Sequence, residues 1–237
     1  MPDGRRWGNR TIGSLTVLTA AVGVWLITTD DVPQPPPQPS RAQGLLGTQH
    51  RMLDQLRGEG RGEHPEPTPT SSPQAAAMAP AKPERIRIPS LRIDAPLTGL
   101  GLEGDGSLQA PPPGDKNLAG WYADGTPPGA EGTAVIAGHV DNKQGPAVFY
   151  RLGALKKGER VEVLRQDGTT AVFTVDAVEV HDRDGFPDQQ VYGATGRPEL
   201  RLITCGGAYT KKTGYPANVV VYAHLTDTLT GPAAEGN

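Results

Sequence analysis

The chain has one cysteine among 237 residues, few aromatic residues and almost no excess of charge. A single cysteine excludes an intrachain disulfide and any zinc site built from several cysteines. There are 23 lysines and arginines against 26 acidic residues, a net charge of −3, which argues against a protein that binds nucleic acid through a basic surface. Glycine and proline are frequent, with 31 and 24 residues, so long stretches are expected to be turn or linker.

Charged residues are absent from residues 11–29, an apolar stretch preceded by three arginines and followed by two aspartates. A helix of this length spans ~28 Å, enough to cross a hydrocarbon core of ~30 Å. The flanking charges predict a cytoplasmic N-terminus over residues 1–10 and an extracellular location for everything after the helix. The alternative is a cleaved signal peptide, which is expected to have a shorter apolar region and small residues before the cleavage site. We therefore predict a single-pass anchor in the plasma membrane.

Residues 30–83 contain eleven prolines, no aromatic residue and no isoleucine. Such a segment cannot bury enough apolar surface to offset the entropy of ordering it, and its prolines favour extended backbone. We predict a Pro-rich disordered linker that holds a domain away from the membrane. Apolar residues recur at helical spacing between Leu45 and Leu56, which indicates either a transient amphipathic turn or a short docking helix.

Aromatic residues are concentrated in the C-terminal part, where apolar residues alternate with polar ones as in Arg85–Ile88. Asp167-Gly168 separates two such runs, which is a strong signal for a β-hairpin. We predict an all-β barrel or sandwich over residues 84–230, with a brief helix around 147–155 and a disordered tail at 231–237. Further strands are expected around 133–137, 178–180, 200–203 and 218–222.

Cys205 ends the strand predicted at 200–203 and is followed at once by Gly206-Gly207. A cysteine in this position can lie at a cleft that a substrate approaches closely. A buried structural cysteine is the ordinary alternative, because free cysteine is among the most buried residue types. An accessible lone thiol outside the membrane is prone to oxidation, so Cys205 is expected to be either deeply buried or functional.

A nucleophilic cysteine needs a partner, which is normally an imidazole. His139 follows a predicted core strand and Gly138, so its ring is expected to point into a cleft, although an ordinary turn histidine would have the same sequence. His181 lies in a charged run and is predicted to be in a solvated turn, and His224 is placed near the end of the last strand. His139 is therefore the candidate partner of Cys205.

Two other patterns have simpler explanations. The Gly-x-Gly-x-x-Gly sequence at 99–104 matches a dinucleotide fingerprint, but it leads into further glycine and three prolines instead of a helix, so we interpret it as a turn. Acidic residues at 182–188 are interpreted as solvated loop residues. The sequence indicates no metal and no cofactor.

Several blocks in order along residues 84–226 resemble the sortases and, within them, the class F sortases of actinobacteria. The blocks are Ala119-Gly-Trp-Tyr122, Val135-Ile-Ala-Gly-His-Val-Asp141, Gly145-Pro-Ala-Val-Phe149, Leu202-Ile-Thr-Cys-Gly-Gly207 and Asn218-Val-Val-Val-Tyr-Ala223. The resemblance implies an eight-stranded sortase-type β-barrel with short helices, preceded by the membrane helix and the linker. It also implies a cysteine transpeptidase that needs no cofactor.

In this family the cysteine that matches Cys205 attacks the Thr–Gly bond of an LPxTG-like sorting signal and forms a thioester. The histidine that matches His139 protonates the leaving amine and later deprotonates the incoming one. Thr204 is expected to line the site. The implied partners are sorting signals of secreted proteins and an amine on a cell-wall precursor, to which the cleaved protein is transferred.

The sequence departs from the family in one respect. Sortases are expected to carry an arginine after the cysteine, and no arginine follows Cys205. Lys211 or Lys212 could supply the charge, although lysine does not make the planar two-pronged contact of arginine. Arg201 precedes the cysteine by four residues, on the same face of the strand. A weakly active or non-catalytic peptide-binding barrel is the alternative function, and other cysteine wall peptidases match the order and motifs poorly.

Overall fold

The computed structural model describes residues 35–45 and 75–231 of the chain. The predicted anchor at 11–29, most of the predicted linker and residues 232–237 of the predicted tail lie outside these ranges. No helix within them has the length and apolarity needed to cross a membrane. From Pro36 onward the described residues belong to one compact unit.

The described part of the chain contains ten strands, which are β1 Pro83–Ile88, β2 Ile93–Leu100, β3 Ala119–Tyr122, β4 Gly132–Gly138, β5 Asp141–Asn142, β6 Gly145–Pro146, β7 Arg160–Arg165, β8 Thr169–Asp182, β9 Pro198–Gly206 and β10 Ala217–Thr230. Eight of them form a closed barrel in the order β1-β2-β3-β4-β9-β10-β8-β7, with β7 paired to β1. A separate two-stranded hairpin of β5 and β6 follows β4. The eight-stranded barrel implied by the family resemblance is thus confirmed.

Alternating side chains build the core inside the barrel. Ala134 and Ile136 on β4 and Leu200 and Leu202 on β9 belong to the interior cluster, so their neighbours in sequence face outward. On the outer face of the sheet a second apolar cluster forms around Val135, Val191, Ile203, Val220 and Tyr222. The barrel wall between β4, β9, β10 and β8 is therefore covered on both sides.

The predicted hairpin at Asp167-Gly168 is confirmed between β7 and β8. Gly168 adopts a φ of +77°, which glycine tolerates without strain. The Asp167 carboxylate accepts hydrogen bonds from the backbone nitrogen and the hydroxyl of Thr169, at 3.0 and 2.6 Å. The turn type and its aspartate together set the register of the two strands.

Two pairings in the barrel are parallel, β2 with β3 and β4 with β9. The β4–β9 pairing matters for the site, because parallel strands end at the same edge of a sheet. Gly138, the last residue of β4, and Gly206, the last residue of β9, consequently lie at one edge of the barrel.

Three local expectations differ from the structure. The helix predicted at 147–155 is only a 3₁₀ turn at Leu152–Ala154, and the one α-helix among the described residues, α1 at Asp188–Tyr192, was not predicted. His181 lies in β8 and not in a turn, because this charged stretch pairs along β10. His224 lies in the middle of β10, where its Nδ1 is 2.8 Å from a carboxylate oxygen of Asp176.

Part of the predicted linker contacts the barrel. Residues 35–45, which include a 3₁₀ turn at Arg41–Gln43, hydrogen-bond to Gly207, Lys157 and Glu179. We call residues 35–45 the strap. Leu45 is the only residue of the predicted docking helix that the structure describes, and the rest of that prediction lies outside the described residues.

Candidate active site

Cys205 is the next-to-last residue of β9 and faces outward, because Leu200 and Leu202 on the same strand face the core. Its side chain is partly exposed. The neighbouring β10 pairs directly with it, so that Asn218 stands opposite Cys205. The register continues to β8, where His181 stands opposite Asn218. Sequence reasoning did not identify Asn218, because only strand pairing reveals its position.

His139 is the first residue after β4. The parallel register pairs Ala137 with Ile203, and two further residues along each strand lead to His139 and Cys205. The structure therefore brings the two predicted catalytic residues to one edge of the barrel on neighbouring strands. Among the described residues, no hydrogen bond joins their side chains, and catalytic contacts of this kind often tighten only when substrate is bound.

Backbone contacts fix the position of His139. Its Nε2 lies 2.7 Å from the carbonyl oxygen of Pro111. Because a carbonyl only accepts hydrogen bonds, Nε2 is the donor, and in the neutral ring Nδ1 is left as an acceptor. The carbonyl of His139 accepts a hydrogen bond from the nitrogen of Phe149 at 3.0 Å. The loop before β3 thus holds the imidazole, and the turn after β6 holds the backbone of His139.

The surroundings of Cys205 include charges of both signs. Burial raises the pKa of the Cys205 thiol, the positive charge of Arg183 lowers it, and the carboxylate of Asp141 raises it again. The net effect is a pKa above the usual value, so this environment favours the thiol over the reactive thiolate. Arg183, just after β8, was interpreted from sequence as part of a solvated turn.

A side-chain hydrogen bond connects the segment after His139 with the loop after Cys205. The hydroxyl of Tyr215 donates a short hydrogen bond to the carboxylate of Asp141. The ring of Tyr215 also packs at 5.1 Å from the ring of Tyr209. Burial and the hydrogen bond to Asp141 raise the pKa of Tyr215 well above its usual value, so its hydroxyl remains protonated. No sequence signal linked these residues, which are far apart along the chain.

The candidate substitutes for the missing arginine lie in different surroundings. Arg201 faces the same side as Cys205, but its guanidinium donates to the carboxylate of Glu199 at 2.5 Å and lies 4.7 Å above the ring of Tyr222. Lys211 and Lys212 are exposed in a turn closed by a bridge between Thr210 and Gly214.

Thr204 was expected to line the site, but the structure turns its side chain toward the barrel interior. It is 4% exposed, and its hydroxyl has no hydrogen-bond partner in the described part of the chain. The physical reason is the alternation of β9, which puts Thr204 on the same side as Leu202 and opposite to Cys205.

A cavity of about 950 Å³ lies on the outward face of β4, beside α1. Val135, four residues before His139 on the same face, is part of its wall. The cavity mixes aromatic, aliphatic and acidic side chains, including Leu108, Tyr122, Val135, Asp188 and Tyr192. On β4 its lining consists of Gly132, Thr133 and Val135, so the cavity lies along the first part of this strand.

Within residues 35–45 and 75–231, no cluster of histidine, cysteine and carboxylate side chains could hold a metal ion. A thiol and an imidazole at one edge of the barrel are suited to acyl transfer through a covalent intermediate.

Several solved structures resemble this chain. Solved structures with detectable similarity include sortase A from Listeria monocytogenes, with 19% identity, a TM-score of 0.48, and coverage of 65% of this chain and 92% of the other. A sortase from Actinomyces oris has 19% identity and a TM-score of 0.47, with 71% of this chain and 96% of the other covered. Sortase C-1 from the same organism has 21% identity and a TM-score of 0.47, with 61% and 71% covered.

No curated protein sequence gives a significant match. The family profile described as the sortase domain matches residues 86–226, which is more than half of the chain and includes His139 and Cys205. The chain therefore belongs to the sortase family of cysteine transpeptidases.

Proposed function

We propose that this chain is a membrane-anchored class F sortase that cleaves an LPxTG-like sorting signal and transfers the protein to a cell-wall amine. The observation that carries the proposal is the placement of Cys205 and His139. The parallel register of β4 and β9 pairs Ala137 with Ile203, and His139 and Cys205 each lie two residues further along, at the same edge of the barrel. A nucleophile and a proton carrier for acyl transfer must be neighbours of this kind.

In the proposed first step, the Cys205 thiol gives its proton to His139, and the resulting thiolate attacks the carbonyl carbon of the threonine in the sorting signal. A C–S bond forms and the carbonyl electrons move to the oxygen. When this oxyanion collapses, the Thr–Gly C–N bond breaks and His139 gives a proton to the leaving amine. The thioester is then attacked by the acceptor amine, which loses its proton to His139, and the thiolate of Cys205 is released.

The cavity on the outward face of β4 is evidence for a peptide substrate. Its wall offers aromatic and aliphatic side chains for the apolar residues of a sorting signal, such as Tyr122, Val135 and Tyr192. Strand alternation puts position 139, just after β4, on the same side as Val135, so a peptide that continues from the cavity along β4 approaches the two reacting groups. An extended segment of four residues covers ~13 Å, which is the span from Val135 to His139 along the strand.

The class and the location are proposals from the sequence. The Gly-His-Val-Asp block at 138–141 and the Thr-Cys-Gly-Gly block at 204–207 support class F. The uncharged stretch at 11–29 with its basic flank supports a single-pass anchor in the plasma membrane and an extracellular catalytic domain.

Intact-mass spectrometry of the full chain tests the proposal. The protein is incubated with an LPxTG-type peptide, with and without an amine acceptor, in parallel with Cys205→Ala and His139→Ala. We expect a thioester adduct on the wild type only, discharged by the amine. Full cleavage by the Cys205→Ala protein would contradict the mechanism.

A non-catalytic peptide-binding barrel is the second candidate function. It is favoured by the absence of an arginine after Cys205 and by the raised pKa of the Cys205 thiol. In the same experiment this function predicts that a folded protein binds the peptide and forms neither adduct nor cleavage product.

A further inference from the structure

The reactive form of Cys205 lacks an obvious source of stabilisation. The thiol is partly buried, and the Asp141 carboxylate nearby opposes the formation of a second negative charge. Cysteine nucleophiles normally lie next to a positive charge that stabilises the thiolate. The oxyanion formed on the substrate next to Cys205 also needs a positive charge or hydrogen-bond donors to stabilise it.

Arg183 lies near Cys205 although it follows β8, which is not the strand that comes after the cysteine in the sequence. It directly follows β8, and its backbone nitrogen donates to the carbonyl of Pro216 at 3.0 Å. This bond extends the β8–β10 ladder by one step, because Asp182 already pairs with Ala217 and Ala217 with Gly206. Arg183 is therefore level with the glycines that follow Cys205, two strands away, which is about 10 Å between backbones.

Strand alternation puts Arg183 on the outer face of the sheet. His181, two residues earlier, faces outward, since its Nε2 lies 2.9 Å from the hydroxyl of Tyr222. Cys205 and Asn218 share this face. A long side chain at position 183 can thus extend over Asn218 toward the thiol without crossing the barrel wall.

The guanidinium of Arg183 is also available. It is exposed, and although Asp182 and Asp184 flank it, it forms no ion pair with any of the residues that the structure describes. Arg201, by contrast, is committed to Glu199. Of the described cationic side chains, Arg183 is the one whose charge acts on the Cys205 thiol.

We propose that Arg183 supplies the positive charge that stabilises the Cys205 thiolate and the substrate oxyanion in this sortase. The inference rests on the proposed transpeptidase function and names the residue that replaces the missing arginine. In this chain the stabilising positive charge then comes from the loop between β8 and β9, whereas the family is expected to supply it from an arginine after the cysteine. Arginine suits this role because its guanidinium stays protonated at any relevant pH.

The ionisable groups around Cys205 come from four segments of the chain. His139 and Asp141 face it from the end of β4 and from β5, and Tyr215 faces it from the loop before β10. Arg183 faces it from the end of β8. Because Tyr215 is hydrogen-bonded as a neutral donor, Asp141 and Arg183 are the fixed charges that oppose each other here.

The test measures thiolate formation directly, since Cys205 is the only cysteine in the chain. The rate of alkylation by iodoacetamide is followed against pH for the full-length wild type, Arg183→Gln and Arg183→Lys. Arg160→Gln is the matched control, because Arg160 is an exposed arginine at the start of β7. Arg160 pairs with Thr174 of β8. Thr174 precedes Arg183 by nine residues, so Arg160 lies ~30 Å from Arg183 along β8.

We expect the alkylation profile of Arg183→Gln to move to higher pH, and that of Arg183→Lys to lie between it and the wild type. The kcat for peptide cleavage is expected to fall about 10²-fold in Arg183→Gln with little change in KM, the size of effect typical for loss of one oxyanion-stabilising group. Added salt should lower the alkylation rate of the wild type relative to that of Arg183→Gln at fixed pH, because salt screens the positive charge of Arg183 only where it is present, whereas it screens Asp141 in both proteins.

Two results overturn the proposal. One is a profile and a kcat for Arg183→Gln equal to those of the wild type. The other is a Lys211→Gln/Lys212→Gln double variant that shows both losses while Arg183→Gln shows none. In either case a thioester that still forms on Cys205 leaves the sortase function intact, whereas cleavage without Cys205 contradicts the function itself.

Discussion

The hydroxyl of Tyr215 donates a hydrogen bond to the carboxylate of Asp141, and this contact joins the segment that follows His139 to the loop that follows Cys205. Asp141 begins β5, two residues after His139, and Tyr215 lies in the loop that follows Cys205. The distance between imidazole and thiol therefore depends on a side-chain contact as well as on the barrel. Removing the contact should leave the fold intact and loosen the site.

The first prediction concerns this contact. Tyr215→Phe should lower kcat for peptide cleavage about 10-fold, since a hydrogen bond to a charged group contributes about 1.5–3 kcal/mol and part of that loss falls on catalysis. The melting temperature should change little. Tyr209→Phe is the matched control, because Tyr209 packs against the same ring and is largely exposed. Equal kcat values for the two variants would show that the contact does not position the site.

The second prediction concerns the strap. Gln38 accepts a hydrogen bond from the nitrogen of Gly207 at 3.2 Å, two residues after Cys205. Gln43 accepts one from the nitrogen of Lys157 at 2.9 Å, and the Leu45 nitrogen donates to Glu179 at 2.6 Å. Deleting residues 35–45 should lower the free energy of unfolding by about 2 kcal/mol, the net value of a few such bonds.

Chemical denaturation measures this loss, and an equally long deletion at 55–65 is the control for a shorter linker. The single variant Gln38→Ala should change the alkylation rate of Cys205, since it frees the backbone next to the nucleophile. Identical stability of the two deletion variants would mean that the strap does not support the barrel.

The sequence predicted those parts of the fold that have local signals. Alternation marked the strands, Asp167-Gly168 marked the β7–β8 turn, and the strand exits marked His139 and Cys205. The charged residues 181–184 resembled a turn, yet β8 continues to Asp182 because pairing with β10 overrides local propensity. The helix α1 has only five residues and is too short to show a periodic pattern.

The rest of the site depends on contacts between distant parts of the chain. The parallel β4–β9 pairing, the position of Asn218 opposite Cys205 and the approach of Arg183 all follow from strand order. Local patterns in the sequence carry no signal for these long-range strand pairings. For the same reason Arg201 was a candidate cation, although in the structure Glu199 already neutralises it.

The third prediction concerns that buried ion pair. Glu199 is 7% exposed and accepts hydrogen bonds from Arg201 at 2.5 Å and Arg197 at 2.6 Å. Burial alone would raise the pKa of Glu199, but the hydrogen bonds and charges of the two arginines together lower it. Glu199→Gln leaves Arg201 buried without its partner, so we expect a loss of about 3 kcal/mol at pH 7.

The same pair predicts how stability depends on pH. Because the folded pKa of Glu199 is lowered, its contribution is fully present above the unfolded value of about 4.3 and is lost as pH falls through the folded pKa. The difference in unfolding free energy between wild type and Glu199→Gln should therefore shrink on acidification below about pH 4. A difference that stays constant from pH 7 to pH 3 would contradict the assignment.

The last prediction concerns Gly138, the residue before His139. A Cβ at this position would lie 2.5 Å from Cδ2 of Phe149 and 2.8 Å from a methyl group of Val148. Phe149 is fully buried and its nitrogen donates to the carbonyl of His139, so it can move only by disturbing the histidine. Gly138→Ala should cost about 1–3 kcal/mol of stability, as overpacking of a core does, and should lower kcat.

Gly104→Ala is the matched control, because no atom lies within 4 Å of a Cβ there. The double variant Gly138→Ala/Phe149→Leu tests the cause, since a smaller side chain at 149 makes room for the new methyl group. If the clash with Phe149 is responsible, the two changes are not additive and the double variant recovers part of the stability and of the kcat lost in Gly138→Ala. If the losses simply add, the position of His139 does not depend on the packing of Phe149 against Gly138.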